Sequence, residues 1–426
     1  MLKISSSNAT YFLCDKEGRI YDASLSAETM LQYSHQELIK TKRIFNFFHK
    51  NIVLNEIKRW LALSKTNHQK FHSVMKRQDG SHFTAYLSIK PIKNDNKYYL
   101  ISITRKLSMN PTTLLPTANL RIFFTKWSLI IRAKFLLGTI MPLLFGIVWS
   151  IQYVSVTNFP IDILFAIVIG ALSFHAAANT FNDYFDWKSG TDQMNTNYLL
   201  FVSGGSRAIE LGLISAHVLL RFSIISFILV FLMGAYIASI RGPIIFLIGG
   251  IGAFSAYYYT APPIRLAARK GFGELFHILC LGPLFISGTT YALTEHLSAV
   301  DFWIGTPIGL LITACLWANE FPDIEADAKT GKNNLAVTFS PYATALGILT
   351  LLILSYTIPI ISIIYYELPA LLLTPLLTIP FGISATTTAF QIQNSRDKIA
   401  NLCLKIFNVY FYYCLLYIIS VSIAFM

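Results

Sequence analysis

Residues 160–192 read PIDILFAIVIGALSFHAAANTFNDYFDWKSGTD. An apolar run begins just after Pro160, and its far end carries Asn182, Asp183 and Asp186, with Asp192 close behind. About 20 apolar residues in helical form match the hydrocarbon thickness of a bilayer. A run of this length with its carboxylates gathered at one end suits a membrane span that meets water there. The arrangement recurs once, where a second apolar run near 301–320 ends in Asn319-Glu320-Phe321-Pro322-Asp323-Ile324-Glu325-Ala326-Asp327. The two acidic segments lie at matching ends of two different apolar runs.

Working outward, nine such runs are found at 133–154, 160–182, 212–235, 241–260, 272–293, 301–320, 341–364, 368–390 and 404–425. Several contain Gly or Pro, which membrane helices tolerate. The expected fold class is an all-α polytopic membrane protein with nine transmembrane helices in a bundle. Composition agrees: 54% of the 426 residues are hydrophobic and 13% are charged, about half the usual charged fraction of soluble chains. Mean hydropathy is +0.53.

Charge divides the chain. Residues 1–134 hold 22 Lys/Arg against 8 Asp/Glu, and the remaining 292 residues hold 12 against 14, so the net +12 belongs to the N-terminal third. A basic domain tethered at a membrane faces anionic headgroups. No nucleic-acid motif accompanies the charge, so a nucleic-acid partner is not expected. The five cysteines, Cys14, Cys280, Cys315, Cys403 and Cys414, form no Cys-x-x-Cys pair and suggest neither a disulfide framework nor a zinc site. Asp15, Asp22 and Glu28 with no long apolar run among the first 30 residues predict no cleaved leader, leaving the first apolar run as the insertion signal.

Of the twelve Lys/Arg after residue 134, all but Arg241 lie in or beside the segments that follow the second, fourth, sixth and eighth runs. The positive-inside rule then places those segments and the N-terminus in the cytoplasm and the C-terminus outside. The first acidic segment follows run two and the second follows run six. Four crossings separate them, so both are expected on the cytoplasmic face of a multi-pass protein of the cytoplasmic (inner) membrane.

Residues 1–107 have a different character. Tyr11-Phe12-Leu13 is strand-like, Asp15–Gly18 a turn, and Ile20-Tyr21 a second strand; helical stretches follow around 26–33 and 53–64, and 82–92 and 97–106 alternate as a final pair of strands. This order, with Tyr33-Ser34-His35-Gln36-Glu37-Leu38-Ile39, Arg77-Gln78-Asp79-Gly80-Ser81 and Ile101-Ser102-Ile103-Thr104-Arg105, resembles a PAS domain over about 100 residues. The expected division is a small α+β PAS-like sensor or docking domain at 1–107, a linker at 108–128 containing Pro111 and Pro116, and a membrane domain at 129–426. The ligand of the PAS-like part is unknown. His35, His49, His68, His72 and His82 are not assignable as haem ligands, and Cys14 lies in no flavin-adduct motif. His175 and His277 lie on apolar runs, where local hydrogen bonding is the expected role.

The acidic segments carry the chemistry. Asp183 and Asp186 are i,i+3 neighbours, and Asp323 and Asp327 are i,i+4 neighbours. At helical spacing Asn319, Asp323 and Asp327 form one polar stripe and Asn182 with Asp186 another. Like charges so close destabilise a helix unless a cation lies between them. Mg²⁺ takes oxygen ligands, typically one or two carboxylates with phosphate oxygens, so two facing stripes suit Mg²⁺ and a diphosphate. The pattern points to an enzyme acting on a prenyl diphosphate. The bland alternative, acids that only solvate helix ends, accounts poorly for two clusters on one side, because ionisable groups at membrane depth are functional candidates by default.

Nearby segments offer partners. Arg265, in Tyr257–Leu266, can clamp a phosphate or bind a headgroup; Tyr259 can flank a carbocation or sit in an interfacial aromatic belt. Ser203-Gly204-Gly205-Ser206-Arg207 can present backbone N–H groups and a cation to an anion, or serve only as a turn. Lys188, Lys329 and Lys332 can neutralise a leaving diphosphate, or merely supply positive-inside charge.

Here the resemblance becomes specific. Asn182-Asp183-x-x-Asp186 with Asp192, and Asp323-x-x-x-Asp327 with Ala328-Lys329-Thr330-Gly331-Lys332, resemble the two Asp-rich motifs of the UbiA superfamily of intramembrane prenyltransferases across 130–426. The resemblance implies Mg²⁺-dependent ionisation of a polyprenyl diphosphate and attack by an electron-rich aromatic acceptor, with the lipid bilayer as surroundings. It makes Asp183, Asp186, Asp323 and Asp327 metal-binding and catalytic residues with Tyr259 beside the carbocation. Asn182, Lys188, Asp192, Arg207, Arg265, Asn319, Lys329 and Lys332 become substrate contacts. Gly190-Thr191-Asp192, Ser203–Arg207 and Asn319–Asp323 look most like the 1,4-dihydroxy-2-naphthoate branch of menaquinone synthesis. Where the 4-hydroxybenzoate, protohaem and chlorophyll branches carry Arg-Thr…Arg-Pro, this chain has Gln193-Met194-Asn195-Thr196-Asn197. A different aromatic or lipid acceptor is the alternative. From another class, a cation-coupled transporter would share the spans and acids, but it would place its acids at broken helices near the bilayer midplane.

Overall fold

The structure, a computed structural model, describes residues 10–15, 18–49, 52–62, 68–92, 95–106, 110–114, 120–154, 158–195, 198, 203–392 and 396–425. Lys16 and Glu17 of the predicted turn, Pro116 of the linker, and Thr196 and Asn197 lie outside them. The chain forms two compact units: Met1–Leu129 with Arg207–Ser215, and Ile130–Ser206 with Ala216–Met426.

The first unit is built on an antiparallel sheet of β1 (Thr10–Asp15), β2 (Ile20–Ala23), β3 (Gln69–Lys76), β4 (His82–Ile92) and β5 (Asp95–Arg105), in the order β2-β1-β5-β4-β3. Period-2 alternation sends Phe83, Ala85, Leu87 and Ile89 of β4 inward. Across the central strands Leu87 faces Ile103 and Ile89 faces Ile101, while Phe12 of β1 meets Ile101 from the other side. Helices α1 (Leu25–Leu31), α2 (His35–Thr41) and α3 (Val53–Ala62) accompany the sheet. Large side chains fill its interior; Phe45 and Trp60 meet edge to face at 5.7 Å and Trp60 reaches Tyr99 at 5.6 Å. Gly18 closes the β1–β2 turn at φ +74° with its N–H donating to the Asp15 carbonyl, 3.0 Å.

Two elements were absent from the sequence reading. β3 is an edge strand, and only Phe71, Val74 and Met75 mark it as apolar; an edge needs little of the alternation that identifies a central strand. The short α2 is announced by a capping box instead: Ser34 Oγ accepts from Glu37 N, and Glu37 Oε2 accepts from Ser34 N. The expected linker 108–128 also differs, because helix α4 (Leu120–Ile130) occupies its second half.

The second unit is helical: α5 (Leu137–Ser150), α6 (Ile161–Ser189), α7 (Thr191–Met194), α8 (Ala216–Arg241), α9 (Ile244–Tyr258), α10 (Phe272–Leu281), α11 (Pro283–Thr294), α12 (Ala299–Glu320), α13 (Ile324–Lys329), α14 (Leu335–Thr338), α15 (Pro341–Tyr366), α16 (Ile379–Phe390) and α17 (Arg396–Phe425). Among the described residues eight helical segments are long and apolar enough to cross a membrane; α9, with 15 residues, is the shorter apolar helix at the expected fourth span. At 1.5 Å per residue it measures about 22 Å, less than the ~30 Å hydrocarbon core. Hydropathy overran it because Gly242 and Pro243 end the preceding helix inside the apolar stretch. Large apolar side chains face outward along these helices, among them Phe165, Phe231, Leu247 and Ile364, as a lipid-facing surface requires.

The core centres on α12, which packs against α10, α11, α15 and α17. Small residues permit that approach: a Cβ on Gly309 would run into the Ile278 carbonyl oxygen, whereas one on Gly249 of α9 would meet nothing within 4 Å. Gly309→Val is therefore expected to lower stability by about 3 kcal/mol through overpacking, and Gly249→Ala to leave it unchanged or slightly raised. Thermal unfolding of the detergent-purified variants checks the pair, and equal midpoints would contradict the packing described.

Candidate active site at the ends of helices α6 and α12

The site is assembled where α6 and α12 end. Gly190, at φ +84°, caps α6 and turns the chain into α7, so Asp183, Asp186 and Asp192 follow one another round a tight corner. At the second segment Pro322 has no N–H to continue α12, and a single 3₁₀ turn over Phe321–Asp323 leads into α13. This turn breaks the expected continuous stripe, and Asp323 and Asp327 take different partners.

The carboxylates fall into two sets. Asp183, 3% exposed, accepts hydrogen bonds from Ser206 N (3.3 Å), from Ser206 Oγ and from Arg132, with which it forms an ion pair. Asp323 accepts from Asn195 Nδ2 (2.7 Å), Gly204 N (3.0 Å) and Ser203 Oγ (3.4 Å). The Ser203–Ser206 backbone thus does present N–H groups to anions, and the anions are these two aspartates. Gly205 is required there: at φ +83° an added Cβ would lie 2.8 Å from Asp183 Oδ1 and 2.9 Å from Arg132 Nη2.

Asp186 and Asp327 form the second set. Lys332 Nζ lies 3.7 Å from Asp186 and 3.6 Å from Asp327, and Asn334 Nδ2 donates to Asp327 at 3.0 Å. Burial alone would push the Lys332 ammonium down; Asp186 and Asp327 outweigh it, with Tyr259 and Glu320 adding, and hold it well above the ordinary lysine range. Burial likewise opposes the Arg132 charge, but Asp183 dominates, with Asp186 and Asp192 contributing, and the guanidinium is held more firmly than usual. Thr191 Oγ1 and Thr330 Oγ1, 3.2 Å apart, join the two corners.

Other sequence candidates are spread more widely. Lys329 pairs with Glu325 at 2.6 Å on the exposed side of α13, and exposed Lys188 lies 5.9 Å from the Tyr184 ring centroid. Arg207 is buried, pairs with Glu210 at 3.2 Å and belongs to the first compact unit. Arg265 adopts a left-handed φ of +47° between α9 and α10. Asn319 is half-buried in the last turn of α12. His175 bonds Thr139 Oγ1 (3.0 Å) and the Ile131 carbonyl (3.1 Å), and His277 bonds Thr313 Oγ1 (2.9 Å). Sequence reasoning passed over Arg132 and Asn334 and gave no role to the side chains of Asn195 and Glu320, while the Ser203–Arg207 turn was among its anion-facing candidates. The available signal for Arg132 was a cation at the very start of the first apolar run.

The donor set suits a hard divalent cation. Asp186 and Asp327 offer only oxygen, and a protein cation already sits between them. The Oδ1 of Asn182 and the Oε2 of Glu320 are buried at the same end of the bundle without a hydrogen-bond partner, a state that a hard cation or an ordered water relieves. On the same turns of α6 as Asp183 and Asp186, Phe181 meets Tyr257 edge to face at 5.2 Å and Phe185 meets it at 5.8 Å.

The chain is 29% identical over 233 residues, 55% of its own length and 70% of the relative's, to the 1,4-dihydroxy-2-naphthoate octaprenyltransferase of Bacillus subtilis. It is 24% identical over 257 residues, covering 59% and 78%, to the 2-carboxy-1,4-naphthoquinone phytyltransferase of a Synechocystis species. A solved UbiA homolog from Archaeoglobus fulgidus bound to GPP and Mg²⁺ is 16% identical, with 70% of this chain and 99% of that one covered at a TM-score of 0.49. Residues 8–105 match the PAS domain family. Residues 143–415 match the UbiA prenyltransferase family, and with well over half its length matched the chain belongs to that family.

Proposed function

We propose that the protein transfers a polyprenyl group from a polyprenyl diphosphate to an aromatic acceptor in a Mg²⁺-dependent reaction, with 1,4-dihydroxy-2-naphthoate as the acceptor. The carrying observation is the meeting of two acidic segments about 140 residues apart, joined by Lys332 between Asp186 and Asp327 and by Asn195 on Asp323. The named relatives support the naphthoate acceptor, and the charge bias of the loops supports a cytoplasmic site in the cytoplasmic membrane.

In this reading Asp186, Asp327 and the Asn182 carbonyl oxygen hold Mg²⁺, while Asp183 and Asp323 anchor the Ser203–Ser206 turn at the same end of the bundle. When bound, Mg²⁺ supplies positive charge to the diphosphate and stabilises the charge that develops as the allylic C–O bond breaks. Lys332 and Arg132 contribute fixed cations that need no reorganisation at that moment. Tyr259, at the C-terminal end of α9, offers a ring face to the allylic cation. Phe181, Phe185 and Tyr257 exclude water from it. The ring carbon bearing the acceptor's carboxylate forms the new C–C bond, CO₂ leaves, and diphosphate is the second product.

The test is product analysis with purified protein, a polyprenyl diphosphate, and 1,4-dihydroxy-2-naphthoate or 4-hydroxybenzoate, with Mg²⁺ or with EDTA. Prenylated naphthoquinol and CO₂ are expected only with the naphthoate and only with Mg²⁺. Product from 4-hydroxybenzoate alone would overturn the acceptor assignment, and no product from any aromatic acceptor would overturn the transferase reading.

A further inference from the structure

Arg207–Ser215 lie between α7 and α8 in sequence, yet they pack as part of the N-terminal unit. Five of these nine residues, Arg207, Ala208, Leu211, Leu213 and Ile214, are buried. The segment is closed on itself by Leu211 N to Arg207 O (2.8 Å), Leu213 N to Ala208 O (2.9 Å) and the Arg207–Glu210 ion pair. Within that unit Asn46, in the 3₁₀ turn Ile44–Phe47, bonds in two directions. Its Oδ1 accepts from Arg43 N at 2.7 Å, and its Nδ2 donates to the Glu210 carbonyl. A side-chain amide can do both at once.

The residue preceding this segment is Ser206, which donates to Asp183, and two residues earlier Gly204 donates to Asp323. Three residues, Arg207, Ala208 and Ile209, separate the bond at Ser206 from the bond at Glu210. Gly204, Gly205 and Arg207 all have positive φ (70°, 83° and 55°), and Gly205 has no room for a Cβ. Arg207 follows Ser206 directly, so 207–215 and the donors that hold the two aspartates are consecutive in the chain.

We propose that the PAS domain controls the diphosphate site through this segment: Asn46 holds 207–215, and the adjoining 203–206 turn sets the resting positions of Asp183 and Asp323. The PAS turn at 44–47 is the input and the two carboxylates are the output. The consequence for substrate rests on the reading of the acidic segments as the diphosphate site; the mechanical linkage does not.

The experiment is Asn46→Asp in the full-length protein. The aspartate keeps an acceptor for Arg43 N and removes the donor to Glu210. Amide hydrogen exchange across 203–215 is expected to quicken about tenfold, as loss of one charge-opposed hydrogen bond allows. The KM for polyprenyl diphosphate should rise about fivefold, with the unfolding midpoint and exchange in β4 unchanged. Insertion of two glycines between Ser206 and Arg207 should keep 207–215 protected, quicken 203–206, and abolish the effect of Asn46→Asp on KM. Unaltered exchange at 203–215 in Asn46→Asp overturns the linkage. Altered exchange with unaltered KM and kcat overturns the control. Exchange needs no turnover, so its outcome is separate from that of the prenyl-transfer reading.

Discussion

Asp186→Asn and Asp327→Asn should each lower Mg²⁺-dependent diphosphate release by about 10³-fold while leaving the fold intact. Either substitution still leaves Lys332 with one carboxylate, because Asp186 and Asp327 share it at 3.7 and 3.6 Å. Asp183→Asn is expected to behave differently. It strands Arg132, whose side chain is largely buried and whose ion-pair partner is Asp183. Breaking a buried pair costs about 3–5 kcal/mol, softened here by Asp186 and Asp192, so a fall in unfolding midpoint of roughly 5–10 °C is expected for a chain of this size. It should also loosen the Ser203–Ser206 turn. Turnover and thermal unfolding measured on the same preparations separate the two behaviours. Wild-type Mg²⁺-dependent release by Asp186→Asn would sink the assignment of that carboxylate.

Lys332→Met should lower kcat/KM about 10²-fold, and its signature is a split between two affinities. With the ammonium gone, Asp186 and Asp327 lose the cation between them, so divalent cation binding to the free protein should tighten about tenfold. Diphosphate binding should weaken, because a fixed positive charge has been removed from its site. Calorimetry with Mn²⁺ alone and with pyrophosphate plus Mg²⁺ reads both, and parallel changes would show that Lys332 is only structural. The folded-state value of Lys332 is raised, so its contribution to stability is fully present below the ordinary lysine value of about 10.4. It is lost only as pH climbs through the higher folded value. Any loss of activity between pH 7 and 9 therefore belongs to another group. Lys329→Met is the matched comparison: its partner Glu325 is exposed, such pairs contribute about 0–1 kcal/mol, and a change within about twofold is expected.

Legibility in the sequence varied with the range of the forces involved. The apolar runs could be read because a span is a local property of about 20 consecutive residues. The central strands β4 and β5 were equally readable from alternation, while β3, at the edge of the sheet beside β4, lacked enough of it. The fourth span was read too long because hydropathy does not register the Gly242-Pro243 turn. The polar stripe Asn319–Asp323–Asp327 assumed an unbroken helix, and Pro322 denies it. Lys329 and Lys332 looked alike in sequence, three residues apart; Gly331, at φ +71°, is in the turn that leaves one in solvent and folds the other back between two aspartates.

By itself the sequence determined the mostly helical, apolar character of the membrane part, the PAS-like pattern at the N-terminus, and the two acidic segments at the ends of α6 and α12. Each of these depends on residues within a few turns of one another. Only the tertiary structure decided which carboxylate takes which partner. Arg132 reaches Asp183 across 51 positions, Gly204 reaches Asp323 across 119, and Asn46 reaches Glu210 across 164. Such pairings depend on how whole helices and positive-φ turns are stacked, and local propensity contains no term for that.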